Sequence, residues 1–377
     1  MVTVVILGAG FSGIGIAHKL LKYTLPKVND LKVILVSVST HHFWNLGSVR
    51  RVIPGEVEDE QIFREIAPGF EQYPKDAFEF VVGAATGLDV ASNRAQVSVG
   101  GETRDIEYSH LVVATGSSYP TKLPFTTIGS HEEMLESWRE LQDKVQQAKS
   151  IVISGAGPTG IETAAELASH FGDSKSITII LEGDIPLRGF MPQVGKIAAN
   201  DLASFGAKLV RKARTMNSST NDNGQTVVEL SNGSILEADL YLPLYGSRPN
   251  TQFVPTHLLD DRGNLKLETN LRVQGLHNVW GVGDVGNLES KQLIYAERQA
   301  LHLGSNIHAA LTGGNVKPLP WTVTPQVFVT LGKDKGTGQY GWFKVPGFGV
   351  TTTKGKDFFM SRGDGLIAGK NIVRSPI

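Results

Sequence analysis

The 377-residue chain contains no cysteine. That excludes disulfide frameworks, zinc–cysteine centres, iron–sulfur clusters and thiol nucleophiles, and with them any dithiol relay between a cofactor and a substrate. Neither sign of charge is in excess, since 36 Lys and Arg stand against 37 Asp and Glu, for a formal net charge of −1. A polycationic surface is therefore not expected, nor a nucleic-acid partner. No run of about 18 apolar residues occurs, so no spanning helix is expected. A strand-like run, Val2 to Leu7, begins at once, leaving no room for a cleavable leader, and Met1-Val2 is not the glycine-second signal for N-myristoylation. The expectation is a cytoplasmic protein, at most peripheral to a membrane or lipid droplet.

What is present fits a soluble globular chain, with 41% hydrophobic and 19% charged residues. At about 150 residues per domain, two or three domains are expected. The apolar run Val4 to Leu7 leads into Gly8-Ala9-Gly10-Phe11-Ser12-Gly13, then into helical spacing through Ile14, Ala17, Leu20 and Leu21. Val33 to Val38 supplies a second strand, so the segment reads as a βαβ unit. The arrangement returns 147 residues later: Ile151 to Ile153, then Gly155-Ala156-Gly157-Pro158-Thr159-Gly160, a helix through Leu167, and a strand from Ile177 to Leu181. In this context the first glycine permits a tight turn, the second lets backbone approach a pyrophosphate, and the third allows close helix packing. The helix N-terminus attracts the anion. Two dinucleotide sites are expected.

Further strands are read at Phe78 to Val82, Ala95 to Val99, Tyr108 to Thr115, Lys208 to Val210, Thr226 to Leu230 and Asp239 to Leu244. Asn217 to Gly224 reads as a polar turn, Ser130 to Ala148 as a charged amphipathic helix, and about 293 to 311 as a long helix. Glycine, threonine and aromatics dominate after Pro318, as in a small β-rich cap.

A carboxylate that accepts both ribose hydroxyls should lie about 20 residues beyond the third glycine. In the second unit Glu182 lies 22 residues on, which favours NADH, while nearby Arg188 leaves NADPH open. In the first unit Ser37, 24 residues on, is the counterpart. Its hydroxyl either bonds a ribose more weakly than a carboxylate would, or merely starts a loop. His41-His42-Phe43-Trp44 reads as a loop packed on the core, with a place beside a cofactor as the alternative. No third ligand makes the histidines a metal site, and no metal is expected. Trp342, Phe343, Phe348, Phe358 and Phe359 read as core of the small sheet, or else as a pocket or membrane-facing patch. Lys354 and Lys356 read by default as solvated charges.

Two nucleotide units, the intervening Ala114-Thr115-Gly116 and the late Gly281-Val282-Gly283-Asp284 resemble the two-dinucleotide flavoproteins typified by glutathione reductase and type II NADH dehydrogenase. Val279 to Val285, Tyr295-Ala296-Glu297 and Gly332-Lys333-Asp334-Lys335-Gly336-Thr337-Gly338-Gln339 are similar to the ferroptosis-suppressor family of apoptosis-inducing-factor-like proteins, fungal type. The resemblance implies an α/β fold with two Rossmann-like domains. FAD would occupy a discontinuous domain of residues 1–117 and 249–315, and NAD(P)H an inserted domain of residues 118–248. Residues 316–377 would form the cap. It assigns Gly8, Ala9, Gly10, Phe11, Ser12, Gly13, Ser37, Thr115, Gly116, Gly283 and Asp284 to FAD. Arg50 would stand near the flavin phosphate or ring, and Ala85 would be a backbone contact to adenine. Gly155, Gly157, Gly160, Glu182 and Gly246 fall to the nicotinamide nucleotide, Glu162 beside its ring, and Lys354 near an acceptor pocket. The implied activity is electron transfer from NADH or NADPH through FAD to a quinone-type acceptor without redox cysteines. A nucleotide-sensing protein with structural FAD and a biosynthetic oxidase or monooxygenase stay open as alternatives, as do a homodimer and peripheral lipid contact.

Overall fold

A computed structural model describes residues 1–320 and 325–370. Its first sheet is parallel and five-stranded, in the order Val279–Gly281, His110–Val113, Val2–Leu7, Leu31–Ser37, Phe78–Val82. Val4, Val5, Ile6, Val33, Leu35, Leu111 and Val112 are wholly or almost wholly buried, as expected of strands covered on both faces. The Phe11–Lys19 and Leu293–Thr312 helices pack against one another. A second parallel sheet runs Lys208–Val210, Ser176–Ile180, Ser150–Ser154, Leu240–Pro243, with the Pro158–Phe171 helix as its first crossover. Between the sheets the chain crosses twice at one place, where Ser117 and Ser118 pair antiparallel with Pro249 and Arg248. The crossing is clamped by Thr115, whose hydroxyl donates to the Asn250 carbonyl at 2.6 Å, and by the Asn250 amide, which donates to the Thr115 carbonyl at 2.9 Å.

Each parallel sheet carries an antiparallel three-stranded flap, Ala84–Asp89 with Arg94–Val99 and Glu102–Glu107 on the first, Thr215–Thr220 with Thr226–Leu230 and Ile235–Ala238 on the second. The expected turn from Asn217 to Gly224 is corrected here, because Asn217 to Thr220 belong to an edge strand and only Asn221 to Gly224 turn. That strand lies almost wholly in solvent, so its polar residues satisfy the pleat without any apolar alternation. The Ser130 side chain caps the His131–Gln147 helix in a reciprocal box with Glu133.

The cap is β-rich in its first half only. Gln326–Leu331, Lys335–Tyr340 and Phe343–Val345 form an antiparallel sheet, but from Gly347 to Ile367 the backbone coils into short helical turns. The cap docks on both nucleotide-binding units, and each half reaches both, Lys333 of the first half pairing with Glu56 and Lys354 of the second with Glu162. On the second domain, Gln339 Oε1 accepts the Met191 amide at 2.7 Å and Lys335 pairs with Asp201 at 3.1 Å. On the first, Trp44 Nε1 donates to the Phe358 carbonyl at 2.8 Å, and His18 Nε2 lies 2.7 Å from the Ile367 carbonyl. Of the aromatics expected in this small core only Phe358 is fully buried, whereas Trp342, Phe343 and Phe348 are 85%, 77% and 74% exposed on the hairpin tip and the turn after it. No described helix is long and apolar enough to cross a membrane. The part of the cap reading that falls on residues 321–324 and 371–377 lies outside the described residues.

Candidate functional site

The two glycine turns are geometric duplicates. Gly8 and Gly155 both adopt φ near +110°, and a Cβ on either would stand 2.3 Å from a carbonyl oxygen of the neighbouring strand, that of Ala114 or of Leu244. A Cβ on Gly13 or Gly160 would stand 1.8 Å from the carbonyl of the first glycine in its own turn. Around Gly10 and Gly157 nothing lies within 4 Å of such a Cβ. The outer two glycines in each turn are therefore demanded by the protein itself, and the middle one keeps a path open for something outside it. Gly10 and Gly157 are extended N-cap residues, and neither helix has a side-chain cap or an acidic residue in its first turn. The leading N–H groups of both helices have no intrahelical partner, which suits a pyrophosphate.

One large cavity, of about 830 Å³, follows the carboxyl ends of the first sheet. Ser37 and Ala85 line it beside the outer strands, Gly8 to Ser12 near its middle, and Thr115 to Ser118 with Gly283 and Asp284 beside the strand at the opposite edge. Pro158, Thr159 and Glu162, from the helix after the second glycine turn, line it too. The Asp284 carboxylate accepts from the Ser117 hydroxyl at 2.7 Å, and burial holds its pKa above the ordinary carboxylate value. Gln299 Oε1 accepts the Gly283 amide at 2.8 Å and so fixes this turn. Phe11 meets His42 and Trp44 edge-on, with both ring centroids at 4.8 Å. The cavity size, the two open phosphate approaches and the half-buried carboxylate at a strand end fit FAD along the first sheet and a nicotinamide nucleotide on the second.

Glu162 and Lys354, expected separately beside the nicotinamide ring and near an acceptor pocket, are brought into direct contact. Glu162, 3% exposed, accepts from Lys354 Nζ at 2.6 and 2.8 Å, and from the Thr330 amide at 2.8 Å. Lys354 Nζ also donates to the Phe328 carbonyl at 3.0 Å. The default reading of Lys354 as a solvated charge is thus overturned, while Lys356 is exposed. Both members of the pair line the cavity, with Phe328 and Phe359 beside them. Glu182 is exposed just beyond its strand, with Arg188 at 3.7 Å, and Gly246 turns with φ +67° after the Leu240–Pro243 strand. The Ser37 hydroxyl accepts the Ser39 amide at 3.2 Å at its strand end. Among the described residues no acidic or histidine cluster is arranged for a metal.

Arg50 requires a correction. It is not among the cavity-lining residues. Its guanidinium is occupied by the Glu166 carboxylate, at 2.8 to 3.2 Å, and by the Gly355 carbonyl at 3.0 Å. Glu166 was not anticipated, although a carboxylate within the apolar helical stretch Thr163-Ala164-Ala165-Glu166-Leu167-Ala168 is itself a signal of a buried partner. Ser117, Gln299 and Thr330 carried no local signal, since their partners lie 167, 16 and 168 residues away.

The profile of the family described as pyridine nucleotide-disulphide oxidoreductase matches residues 2–300. An oxidoreductase of Pestalotiopsis fici is 37% identical over 352 residues, covering 93% of this chain and 95% of that one. Ferroptosis suppressor protein 1 of Xenopus tropicalis is 27% identical over 379 residues, covering 96% of this chain and 94% of that one. Among solved structures, the sulfide:quinone oxidoreductase of Aquifex aeolicus aligns with a TM-score of 0.78 at 17% identity, over 100% of this chain and 93% of that one.

Proposed function

The chain belongs to the pyridine nucleotide-disulphide oxidoreductase family, in its ferroptosis-suppressor-like branch with fungal members, and from there we propose that it carries electrons from NADH or NADPH to a quinone-type acceptor. FAD and NAD(P)H are the cofactors of this family. Bound FAD would supply the two-electron chemistry that links a nicotinamide hydride to the acceptor. Everything else falls to the chain. Gly10 and Gly157 keep the phosphate approaches clear, and the helix N-termini behind them stabilise the two pyrophosphates. Asp284 and Ser37 offer polar groups to sugar or ribityl hydroxyls, and Glu182 to the second ribose.

The observation that carries the reading is the Glu162–Lys354 pair, set in the wall of a cavity that both glycine-turn helices reach. Without cysteine the electrons cannot pass to a disulfide within the chain. An acceptor must come to the cavity, and Phe328 and Phe359 offer it an apolar wall, as a planar quinone ring requires. Reducing a quinone with one hydride consumes one further proton. Lys354 Nζ holds a proton at the cavity wall, and Glu162 keeps that ammonium in place. The name of the Aquifex aeolicus neighbour, a sulfide:quinone oxidoreductase, supports this class of acceptor.

The test is anaerobic stopped-flow reduction with each nicotinamide, followed by a panel of acceptors. A yellow protein that NADH or NADPH bleaches, and that a soluble quinone rapidly reoxidises, is expected. Hydrogen peroxide matching nicotinamide consumption with no effect of quinone would replace this reading with an oxidase. A long-lived reduced complex inert to every quinone would replace it with nucleotide sensing.

A further inference from the structure

Glu162 and Glu166 stand one turn apart on the Pro158–Phe171 helix, both buried. Burial, with the neighbouring Glu162 and Glu56 charges, pushes the Glu166 pKa upward against the pull of Arg50. Each carboxylate receives its own cation from a different part of the chain, Lys354 from the cap and Arg50 from the Ser48–Arg51 turn of the first domain. Arg50 grips in two directions. Its Nε and Nη2 hold Glu166, and Nη1 donates to the carbonyl of Gly355, the residue next to Lys354. The same guanidinium lies over the Phe358 ring, 4.6 Å from its centroid.

The gripped segment is strained. Phe358 and Phe359 both take positive φ, +50° and +59°, a conformation that bulky residues hold only where the surroundings over-determine it. Here Asp357 accepts the amides of Phe359 and Ser361 at 3.0 and 3.1 Å, Trp44 holds the Phe358 carbonyl, and Arg50 supports the ring. We propose that Arg50 is a positioning residue, which grips Glu166 along one edge and the Gly355 carbonyl along the other, and so holds Lys354 on Glu162. A lysine cannot do this, because it lacks the planar fork that serves a carboxylate and a carbonyl together. What Lys354 does in turnover rests on the function proposed above, whereas the grip itself does not.

The experiment uses full-length, FAD-reconstituted protein and the double substitution Arg50→Met with Glu166→Leu. It removes both buried charges together, so no unpaired ion is left to unfold the domain. Acylation of individual lysines by acetic anhydride is followed by peptide mass spectrometry, with the exposed Lys344 and Lys356 as controls. Lys354 labelling is expected to rise about fivefold or more over the parent while the controls stay level. FAD content should stay at the parent level. Turnover with a soluble quinone is expected to fall about tenfold or more, and that loss should shrink to under about twofold when the pair is changed in a Lys354→Met background. Arg50→Lys, which keeps the charge, should reproduce the rise in labelling. Unchanged Lys354 labelling, loss of FAD, or a turnover loss that simply adds to that of Lys354→Met would each overturn the proposal. If the parent protein reduces no quinone, the labelling arm still reads the grip, so failure of the acceptor reading is told apart from failure of this one.

Discussion

Under the proposed function the middle glycine of each turn serves the ligand and the last serves the fold, so Gly157→Ala and Gly160→Ala should fail in opposite ways. At Gly160 a Cβ would stand 1.8 Å from the Gly155 carbonyl oxygen. An ordinary carbon–oxygen contact is about 3.3 Å, so the helix or the turn must shift by about 1.5 Å. Overpacking of that kind costs about 1–3 kcal/mol, and the better helix propensity of alanine returns at most about 1 kcal/mol of it. A net loss of about 1–2 kcal/mol is expected, seen as a melting temperature several degrees lower. At Gly157 nothing lies within 4 Å of the new methyl and φ is already −76°, so no strain arises. Losing a good N-cap residue costs no more than about 1 kcal/mol. The methyl does project into the pyrophosphate approach, and the apparent NADH affinity should fall about tenfold or more, equivalent to about 1.4 kcal/mol. Differential scanning fluorimetry and the nicotinamide dependence of flavin bleaching read the two effects separately. Parent-like NADH affinity in Gly157→Ala, or parent-like melting in Gly160→Ala, would refute the division of labour. Gly10→Ala and Gly13→Ala offer the same contrast, with FAD retention as the readout.

Glu182→Ser, with Arg188 intact, should raise the ratio of kcat/KM for NADPH to that for NADH about tenfold, because the carboxylate that repels a ribose phosphate is gone; steady-state kinetics with both nucleotides checks it. In the buried pair, Lys354→Met alone strands Glu162 and should cost about 3 kcal/mol, while adding Glu162→Leu should recover much of that loss; chemical denaturation of the two variants decides. Stability should also depend on acid. Burial pulls His18, His42 and His110 down to about 4. The unfolded chain takes up these protons near the ordinary value of about 6.5, so between about 6.5 and 4 it binds more protons than the folded one. Stability is therefore full above that window and drops as the pH falls through it, by up to about 1.4 kcal/mol per pH unit for each imidazole. Melting temperatures from pH 7 to 4 test this, and a flat profile would exclude it.

Both glycine fingerprints, the apolar strands that feed them and the absence of sulfur chemistry were legible along the chain because each is a local matter. A turn that needs φ near +110° selects glycine whatever surrounds it, and a strand covered on both faces reads as an unbroken apolar run. Only the first half of the cap is legible in the sequence, and the second is not, for the opposite reason. From Gly347 onward short helical turns are held by contacts from distant segments, such as Trp44 to the Phe358 carbonyl and Arg64 to Asp364, rather than by their own periodicity.

The sequence alone thus determined how many glycine turns open a helix after an apolar parallel strand, where each begins, and that no thiol joins them. Which charges meet was settled only in three dimensions. Lys354 and Glu162 are 192 residues apart, and Arg50 and Glu166 are 116 apart. A buried charge must find its counter-ion wherever folding brings one within reach, and no local pattern records that partner.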